Sequence, residues 1–552
     1  MSKEILLDKH EKSTNETQEN DRGKIKSLGG KIGAASLIVM GSIFLSRVLG
    51  QVRQSYIAYV GGASVDVDAY TIAFQVPDML NHIVAGGFLS VTFIPIFAAY
   101  LESDREAEGW RIMSIIVTVS TAFLLVLIGL SMWTAPTLVS WVAPGISDDP
   151  ATLAKAIHMT RIILPAQAFF FIGGILMAVQ YAKGRFLIPS LAPLVYNLGI
   201  IVGGMAFSSQ LGVEGFSWGV LMGAFVGQFV LQVIGAYRSG MRYRPDFSLT
   251  HPDFGRFLWR TFPLVMGVSM TFSMEFFFKF FGSMLGKGTV SALNYSLRTG
   301  MLLVALFGQA AGVASFPFLA RLFAKGDTRR MVRTLDSTIR RFICLAIPAS
   351  VLMMVTAREV VVILFRRGAF TEADVTATTL ALQAFLTGAF AMAALNLVVR
   401  GFYATRSTWL PAALGSVGVA LSVPLYVLFM KIFGGPGVAL GVAVSALLQA
   451  LILYTVWNHR MKNKGTETYM ALGRAMVLTV PLAAGAWAAR WALSNVMDID
   501  GFWGALAVCA LAGLVFLVGL VSLAELFRVH EITEVWQRVL AMIKRRAGQE
   551  NL

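Results

Sequence analysis

Residues 181–219 read YAKGRFLIPSLAPLVYNLGIIVGGMAFSSQLGVEGFSWG, and residues 403–441 read YATRSTWLPAALGSVGVALSVPLYVLFMKIFGGPGVALG. A shift of 222 residues lays Tyr181 on Tyr403, Ala182 on Ala404, Pro189 on Pro411, Gly212 on Gly434, Gly215 on Gly437 and Gly219 on Gly441. The same shift pairs Gly86 with Gly308 and Pro95 with Pro317 in a different helix. Glycine matches arise by chance in a chain with 52 glycines. Helix-breaking prolines and tyrosines that close apolar runs are harder to match by accident. Each stretch links two apolar runs, so the unit that recurs is a set of helices.

The composition around this repeat points the same way. Of 552 residues, 56% are hydrophobic and 14% charged, against roughly 45–50% and 25% in soluble domains. Mean hydropathy is +0.68. So little charge cannot cover a soluble surface, and disordered, collagen-like and disulfide-scaffold classes are excluded as well. A polytopic membrane protein remains. Apolar segments stand at 34–60, 68–100, 110–143, 153–182, 188–208, 213–237, 258–285, 289–320, 335–365, 375–404, 409–431, 436–457, 471–496 and 502–527. They predict an all-α fold of about fourteen transmembrane helices.

The repeat divides that set into six spans, six more and two left over. The expected organisation is a polar cytoplasmic arm over 1–31, an N-lobe over 32–245 and a C-lobe over 246–465. Two extra helices follow over 466–528, then an amphipathic basic tail over 529–552. Because six is even, the lobes insert in the same orientation about an axis along the membrane normal. Two parallel lobes around a central cavity form a transporter architecture, with substrate between them.

Lys and Arg sort by side. Loops on one side carry Arg105, Lys183, Arg242, Arg244, Arg330 and Arg460 among others, while 60–67, 144–150, 209–212 and 497–501 carry none. By the positive-inside rule both termini are cytoplasmic. Arg358, Arg366 and Arg367 fall on the wrong side, and Glu359, Glu372 and Asp374 nearby suggest a structured loop there. The net charge of +15 therefore reads as topology and anionic lipid rather than nucleic acid.

Two tempting motifs fail. Gly215-Phe-Ser217-Trp-Gly219 spells a hydrolase nucleophile elbow, but it opens an apolar helix, and its repeat mate Gly437-Val-Ala-Leu-Gly441 has alanine for the serine. The glycine spacing instead suits close helix packing. Gly282-Ser-Met-Leu-Gly286-Lys287-Gly288 falls short of a Walker loop. Cys344 and Cys509 lie in apolar runs and read as small hydrophobes. Neither an enzyme nor any cofactor or metal is expected.

Charge inside spans is costly and marks a polar path. The first span holds Arg47 and Arg53; the second holds Asp68, Asp78, Asn81 and His82, followed by Gly86 and Gly87. The seventh holds Glu275 and Lys279, spaced to pair on one helical face, and the eighth holds Arg298. These are the first two spans of each half. Arg47, Arg53, Lys279 and Arg298 outnumber Asp68, Asp78 and Glu275, and guanidinium groups suit phosphate. An anionic substrate is expected, with Gly86, Gly87, Gly308 and Gly312 as hinge or close-packing sites.

Several strings resemble one family. Ser46-Arg47-Val48-Leu49-Gly50 with Arg53, Asp68-Ala69-Tyr70, Phe93-Ile94-Pro95, Arg185-Phe186, Gly212-Val213-Glu214-Gly215, Arg367-Gly368-Ala369-Phe370-Thr371 and Gly401-Phe402-Tyr403-Ala404 are similar to landmarks of the lipid II flippase MurJ (MviN) family. That family belongs with the multidrug and oligosaccharidyl-lipid exporters. The resemblance covers most of the chain in order. It implies fourteen helices in a bacterial inner membrane and transport of undecaprenyl-pyrophosphate-linked disaccharide-pentapeptide to the outer leaflet for peptidoglycan synthesis. It further implies cavity arginines at Arg47, Arg53 and Arg298, the family aspartate at Asp68, and a groove for the polyprenyl tail in the last two helices. The drive would be a monovalent-ion gradient or the membrane potential, as is argued for the family.

The chain departs from the family where Asn81-His82 and Ala85-Gly86-Gly87 replace an Arg-Arg and Ala-Glu-Gly pattern, and where Met301 replaces an acidic residue. His82 or Lys279 would then supply the missing cation. The competing readings are a flippase for another polyprenyl-linked glycan, a cation-coupled multidrug exporter on the same scaffold, and a scaffold that gathers cell-wall synthesis proteins.

Overall fold

The computed structural model describes residues 38–84, 92–305, 310–405, 407, 409–534, 536–537 and 541. Among them there is no strand. The first half contains α1 (38–61), α2 (Val65–Ala73), α3 (Gln75–Val84), α4 (Ile94–Glu102), α5 (Glu106–Trp133), α6 (Ala135–Val142), α7 (Pro150–Ile163), α8 (Ala166–Ala182), α9 (Leu187–Leu211), α10 (Glu214–Gly223) and, after a π-helical stretch, α11 (Leu231–Arg238). The second contains α12 (Pro252–Ser283), α13 (Thr289–Val304), α14 (Ala310–Ala324), α15 (Thr328–Val355), α16 (Ala357–Phe365), α17 (Glu372–Ala404), α18 (Trp409–Phe433) and α19 (Gly435–Arg460). A last pair follows, α20 (Thr466–Ser494) and α21 (Phe502–Ala524).

Ten helical stretches among the described residues are long and apolar enough to cross a membrane. The four other expected spans fall on α1, on α2 to α4, on α12, and on α13 with α14. Packing explains which helices need lipid. Only 17% of the most apolar window of α21 and 22% of that of α18 are buried, against 67% for α17. Apolar surface left open on that scale requires hydrocarbon around it. Trp133, Trp141, Trp409 and Trp503, each at least 60% exposed at a helix end, suit the membrane–water interface.

The 222-residue shift recurs in the helix boundaries. It carries Glu106–Trp133 onto Thr328–Val355, Leu187–Leu211 onto Trp409–Phe433, and the start of α7 and end of α8 onto the two ends of α17. The mates Gly212 (φ 57°, ψ −133°) and Gly434 (φ 62°, ψ −131°) turn the chain identically, in a backbone region essentially reserved for glycine. Gly215 packs on the backbone of Phe207 as Gly437 packs on that of Phe429. Ser217 is buried in this helix contact.

Several ties between the halves lie at the end that carries loops 60–67 and 144–150, and another, from Tyr100 Oη to the Asp253 carboxylate at 2.5 Å, lies at the Arg-rich end. Tyr295 Oη donates to the Gly62 carbonyl at 2.9 Å, and the Ala369 amide donates to the Tyr59 carbonyl at 2.9 Å. Lys287 pairs with Asp149 at 3.0 Å, and the Gly145 amide donates to Ser283 Oγ at 3.2 Å. Two of the three arginines that break the positive-inside pattern are neutralised here, and Arg367 lies over the Phe502 ring. Arg358 and Arg366 both pair with Glu372 and with Asp500 of the α20–α21 loop. Arg490 of α20 donates at 2.7 Å to the fully buried Glu359.

Part of the tail expected at 529–552 is described. Glu531 and Glu534 pair with Arg340 and Arg341 of α15. Val535, Val539, Leu540 and Ile543 lie outside the described residues, as do the arm over 1–31 and Gly86, Gly87 and Gly308. Gly312 lies within α14. Cys344 is buried and Cys509 half-buried, both as free thiols.

Candidate functional site

Six elements converge on one partly open cavity of about 180 Å³. Helix α1 supplies Arg53 and Gln54, α2 supplies Tyr70 and Thr71, and Phe74 marks the break before α3, which supplies Asp78. Helix α9 adds Tyr196, α12 adds Lys279, and α13 adds Asn294 and Arg298. Both halves of the molecule contribute, as expected from charges in the first two spans of each.

Each cation is held differently. Arg53 donates from a terminal guanidinium nitrogen to Asn197 Oδ1 at 3.0 Å. Asn197 is fixed in turn, its amide donating to the Pro193 carbonyl at 2.9 Å and to Ser46 Oγ at 3.3 Å. A neutral anchor therefore aims Arg53 without cancelling its charge. Arg298 lies 3.8 Å from Glu275, too far for a hydrogen bond and so only partly compensated. Lys279 is 3% exposed and has no hydrogen bond or ion pair among the described residues. The helical spacing pointed to a Glu275–Lys279 pair; instead Glu275 reaches across to α13, and Lys279 turns to the cavity.

The wall thus carries three cations and one carboxylate. Of the three cations only Lys279 is buried, at a cost that a counterion would relieve; Arg53 is half-buried and Arg298 exposed, so the positive wall is open to an anion. Orphaned polar atoms accompany it. Arg53 Nε and Thr71 Oγ1 on the wall, and Gln51 Nε2 and both amide atoms of Gln75 close by in the chain, are buried with no partner among the described residues, and such groups demand water or a ligand.

The remaining expected site residues stand off the wall. Glu275 is one salt-bridge length away. Asn81 and His82 continue along α3, with His82 Nδ1 2.7 Å from the Asp78 carbonyl. Arg47 precedes Arg53 on α1 by six residues, about 9 Å of helix. Asp68 lies elsewhere, between the halves: its carboxylate accepts from the Gly288 amide at 2.6 Å, the Ser291 amide at 2.7 Å and Ser291 Oγ at 2.6 Å. That carboxylate serves the N-terminus of α13, where helix amides lack partners. Charge alone did not reveal Tyr70, Tyr196, Asn294, Gln54 or Thr71. Their signal was polar side chains inside apolar spans.

The family model described as Lipid II flippase MurJ matches residues 57–502. A Lipid II flippase MurJ of Burkholderia cenocepacia is 29% identical over 428 residues, covering 76% of this chain and 82% of that protein. A probable lipid II flippase MurJ of Vibrio cholerae is 27% identical over 431 residues, with coverage of 76% and 82%. Among solved structures, a lipid II flippase MurJ in an inward closed conformation superposes with a TM-score of 0.72 at 20% identity, covering 89% of this chain and 99% of that one. An inward-facing multidrug-resistance MATE transporter of the MOP superfamily superposes at 0.61 and 14% identity, covering 75% of this chain and 94% of that one, a likeness of fold. The match of the family model spans most of the sequence, and the chain belongs to the lipid II flippase MurJ family.

Proposed function

We propose that this chain carries lipid II from the inner to the outer leaflet of the cytoplasmic membrane by alternating access. The observation that carries the reading is the convergence of Arg53, Lys279 and Arg298, from both halves, on one cavity with a surplus of positive charge. Arginine forks and a buried ammonium are matched to a diphosphate, the charged link between polyprenyl and sugar. Arg47, about a turn and a half away on α1, extends the positive path, and His82 flanks it.

A cavity of about 180 Å³ holds a small polyanion but is below the roughly 300–1,000 Å³ usual for a bound organic molecule. The sugar–peptide headgroup therefore requires the halves to part. Residues 32–245 and 246–465 act as two lobes that rock about this site, with Gly86, Gly87, Gly308 and Gly312 as hinge or packing points. Asp68 latches the closed end. The polyprenyl tail stays in lipid along 466–528, and both termini face the cytoplasm. Unaided passage of such a headgroup is prohibitive, since each unsatisfied polar group costs several kcal/mol in hydrocarbon. The cycle draws on an ion gradient or the membrane potential, which acts on a charged site at about 2.3 kcal/mol per charge per 100 mV.

The test is depletion of the resident flippase and rescue by Arg53→Ala, Lys279→Ala and Arg298→Ala, read as lipid II appearing in the outer leaflet at matched membrane levels. Each alanine variant should transport poorly, with Arg→Lys intermediate. Normal transport by all three would overturn the reading. A pattern in which Asp78→Asn abolishes activity while Arg→Lys variants work normally would favour a cation-coupled exporter.

A further inference from the structure

Two crevices at the Arg-rich end of the molecule are related by the 222-residue shift, and they end differently. In the first half, residues 243–246 lie across one face of α5. Tyr243 Oη and Thr118 Oγ1 are 3.0 Å apart, the Arg244 amide donates to Ser114 Oγ at 3.2 Å, and Arg111 Nε donates to the Asp246 carboxylate at 3.1 Å. The crevice is closed by the chain itself, with a carboxylate seated on Arg111.

The second half follows the same path as far as residue 463. Gly240 (φ 87°) and Lys462 (φ 52°) are mates with positive φ. The Met241 amide donates to the Ala236 carbonyl at 3.0 Å, and the Asn463 amide to the Asn458 carbonyl at 2.8 Å. There the likeness stops. Tyr243 is replaced by Gly465, which is the N-cap of α20, and the chain leaves as a helix. The uncovered face of α15 is a cavity of about 580 Å³ whose wall includes Arg330, Arg333, Arg340, Lys464, Asp336 and Glu467.

Arg333 is the mate of Arg111, and buried Thr468 stands where Asp246 stood. Both carboxylates of the wall are already engaged. Asp336 accepts from Tyr454 Oη at 3.0 Å and from Asn463 Nδ2 at 2.7 Å, and Glu467 pairs with Arg340. The side chains of Arg330, Arg333 and Lys464 have no hydrogen bond or ion pair among the described residues. Four cations face two carboxylates on the wall, and Glu531 outside it also pairs with Arg340, which leaves an excess of one positive charge.

We propose that this crevice is a second anion site, built for a phosphate group. The first half shows what its Arg111 takes, a carboxylate. The larger excess and volume in the second half fit a more highly charged and bulkier group. Two guanidinium forks can hold phosphate oxygens bidentately, and the first-turn amides of α20, which has no side-chain cap, add the field of a helix N-terminus. The phosphate has two potential sources, an anionic phospholipid of the adjacent leaflet or a soluble phosphate compound, and they are separable by experiment.

Full-length protein would be titrated with inorganic phosphate at constant ionic strength in uncharged detergent. In parallel it would be placed in nanodiscs of phosphatidylcholine with or without phosphatidylglycerol, and thermal unfolding followed in both. An Arg53→Ala background removes a contribution from the central cavity. Binding should weaken about fivefold for each of Arg330, Arg333 and Lys464 replaced by Ala, and about a hundredfold for the triple variant. Arg329→Ala, the same charge loss outside the crevice, should bind as the parent does. A response to phosphate identifies a soluble ligand, and a response to phosphatidylglycerol alone identifies a headgroup. The proposal fails if the parent responds to neither probe, if the triple variant responds like the parent, or if Arg329→Ala loses as much as Arg333→Ala.

Discussion

The two halves share a skeleton and almost none of the chemistry. Helix α1 ends at residue 61 and α12 at 283, a displacement that puts Arg53 opposite Glu275 in the repeat. Asp78 has Gly300 as its mate, Tyr196 has Gly418, Asn197 has Val419, and Arg298 has Val76. Every charged group of the cavity wall is thus private to one half. The repeated helix set supplies two bodies that fit each other, while the charges of the wall are not repeated. The frame needs only spacing, glycine turns and apolar faces, all of which survive exchange of individual residues. The site needs particular side chains at particular depths.

Charge exchange is the hardest test of that distinction. Arg53→Glu removes a charge-assisted contact worth about 1.5–3 kcal/mol and adds repulsion, so transport of lipid II should fall by about a hundredfold or more. Adding Glu275→Arg restores the net charge but puts the guanidinium on the other half, away from Asn197. The double variant should remain impaired when outer-leaflet lipid II is measured at matched expression. Recovery to wild-type level would mean that the halves are chemically interchangeable. On a smaller scale, Asn197→Leu should lower transport roughly five- to tenfold by releasing Arg53 from its neutral acceptor. Val419→Asn, at the mate position, should leave it unchanged.

Asp68 tests the frame rather than the wall. Its carboxylate accepts three hydrogen bonds from α13, and Asp68→Asn would turn an amide toward those donors. A loss of about 1.4 kcal/mol is a tenfold shift toward separation of the halves at that end. Spin labels at Asp148 and Gly286, exposed positions on facing loops, should report a longer distance distribution. An unchanged distribution would remove Asp68 from the closing contacts.

How much of this could be read in the chain follows from the same contrast. The helix sets and their shift were legible because prolines, glycines and apolar runs act locally. Arg53, Lys279 and Arg298 were legible because a charge in an apolar run is conspicuous wherever it points. Direction was not legible. Arg47 and Arg53 differ by six residues, about two-thirds of a turn in phase, and only packing of α1 decides which enters the wall. The partner of Asp68 lies more than 200 residues away at the start of a helix, and no local pattern announces such a contact. Arg358 and Arg366 violated the charge rule in sequence. Glu372 was visible nearby, but Asp500 comes from the loop between the last two helices, beyond the reach of any window.

The smallest expected effect belongs to the exposed tie between Asp149 and Lys287. Asp149 is the N-cap of α7, accepting from the Ala151 and Thr152 amides, and Lys287 lies 3.0 Å from its carboxylate. Lys287 first, then Thr152, holds this carboxyl down to about 2. A carboxyl lowered in the closed form favours closure above its ordinary value near 3.9, and that contribution disappears as pH falls through the lowered one. Closure at this end should therefore be indifferent to pH from about 8 to 5 and loosen only below about 4, as read by the same spin-label pair. Lys287→Ala should erase this acid loosening without abolishing closure, because the Ala151 and Thr152 amides hold Asp149 alike in the open and closed forms and a solvent-exposed pair contributes little. A midpoint near neutrality would leave Asp149 a helix cap with no part in joining the halves.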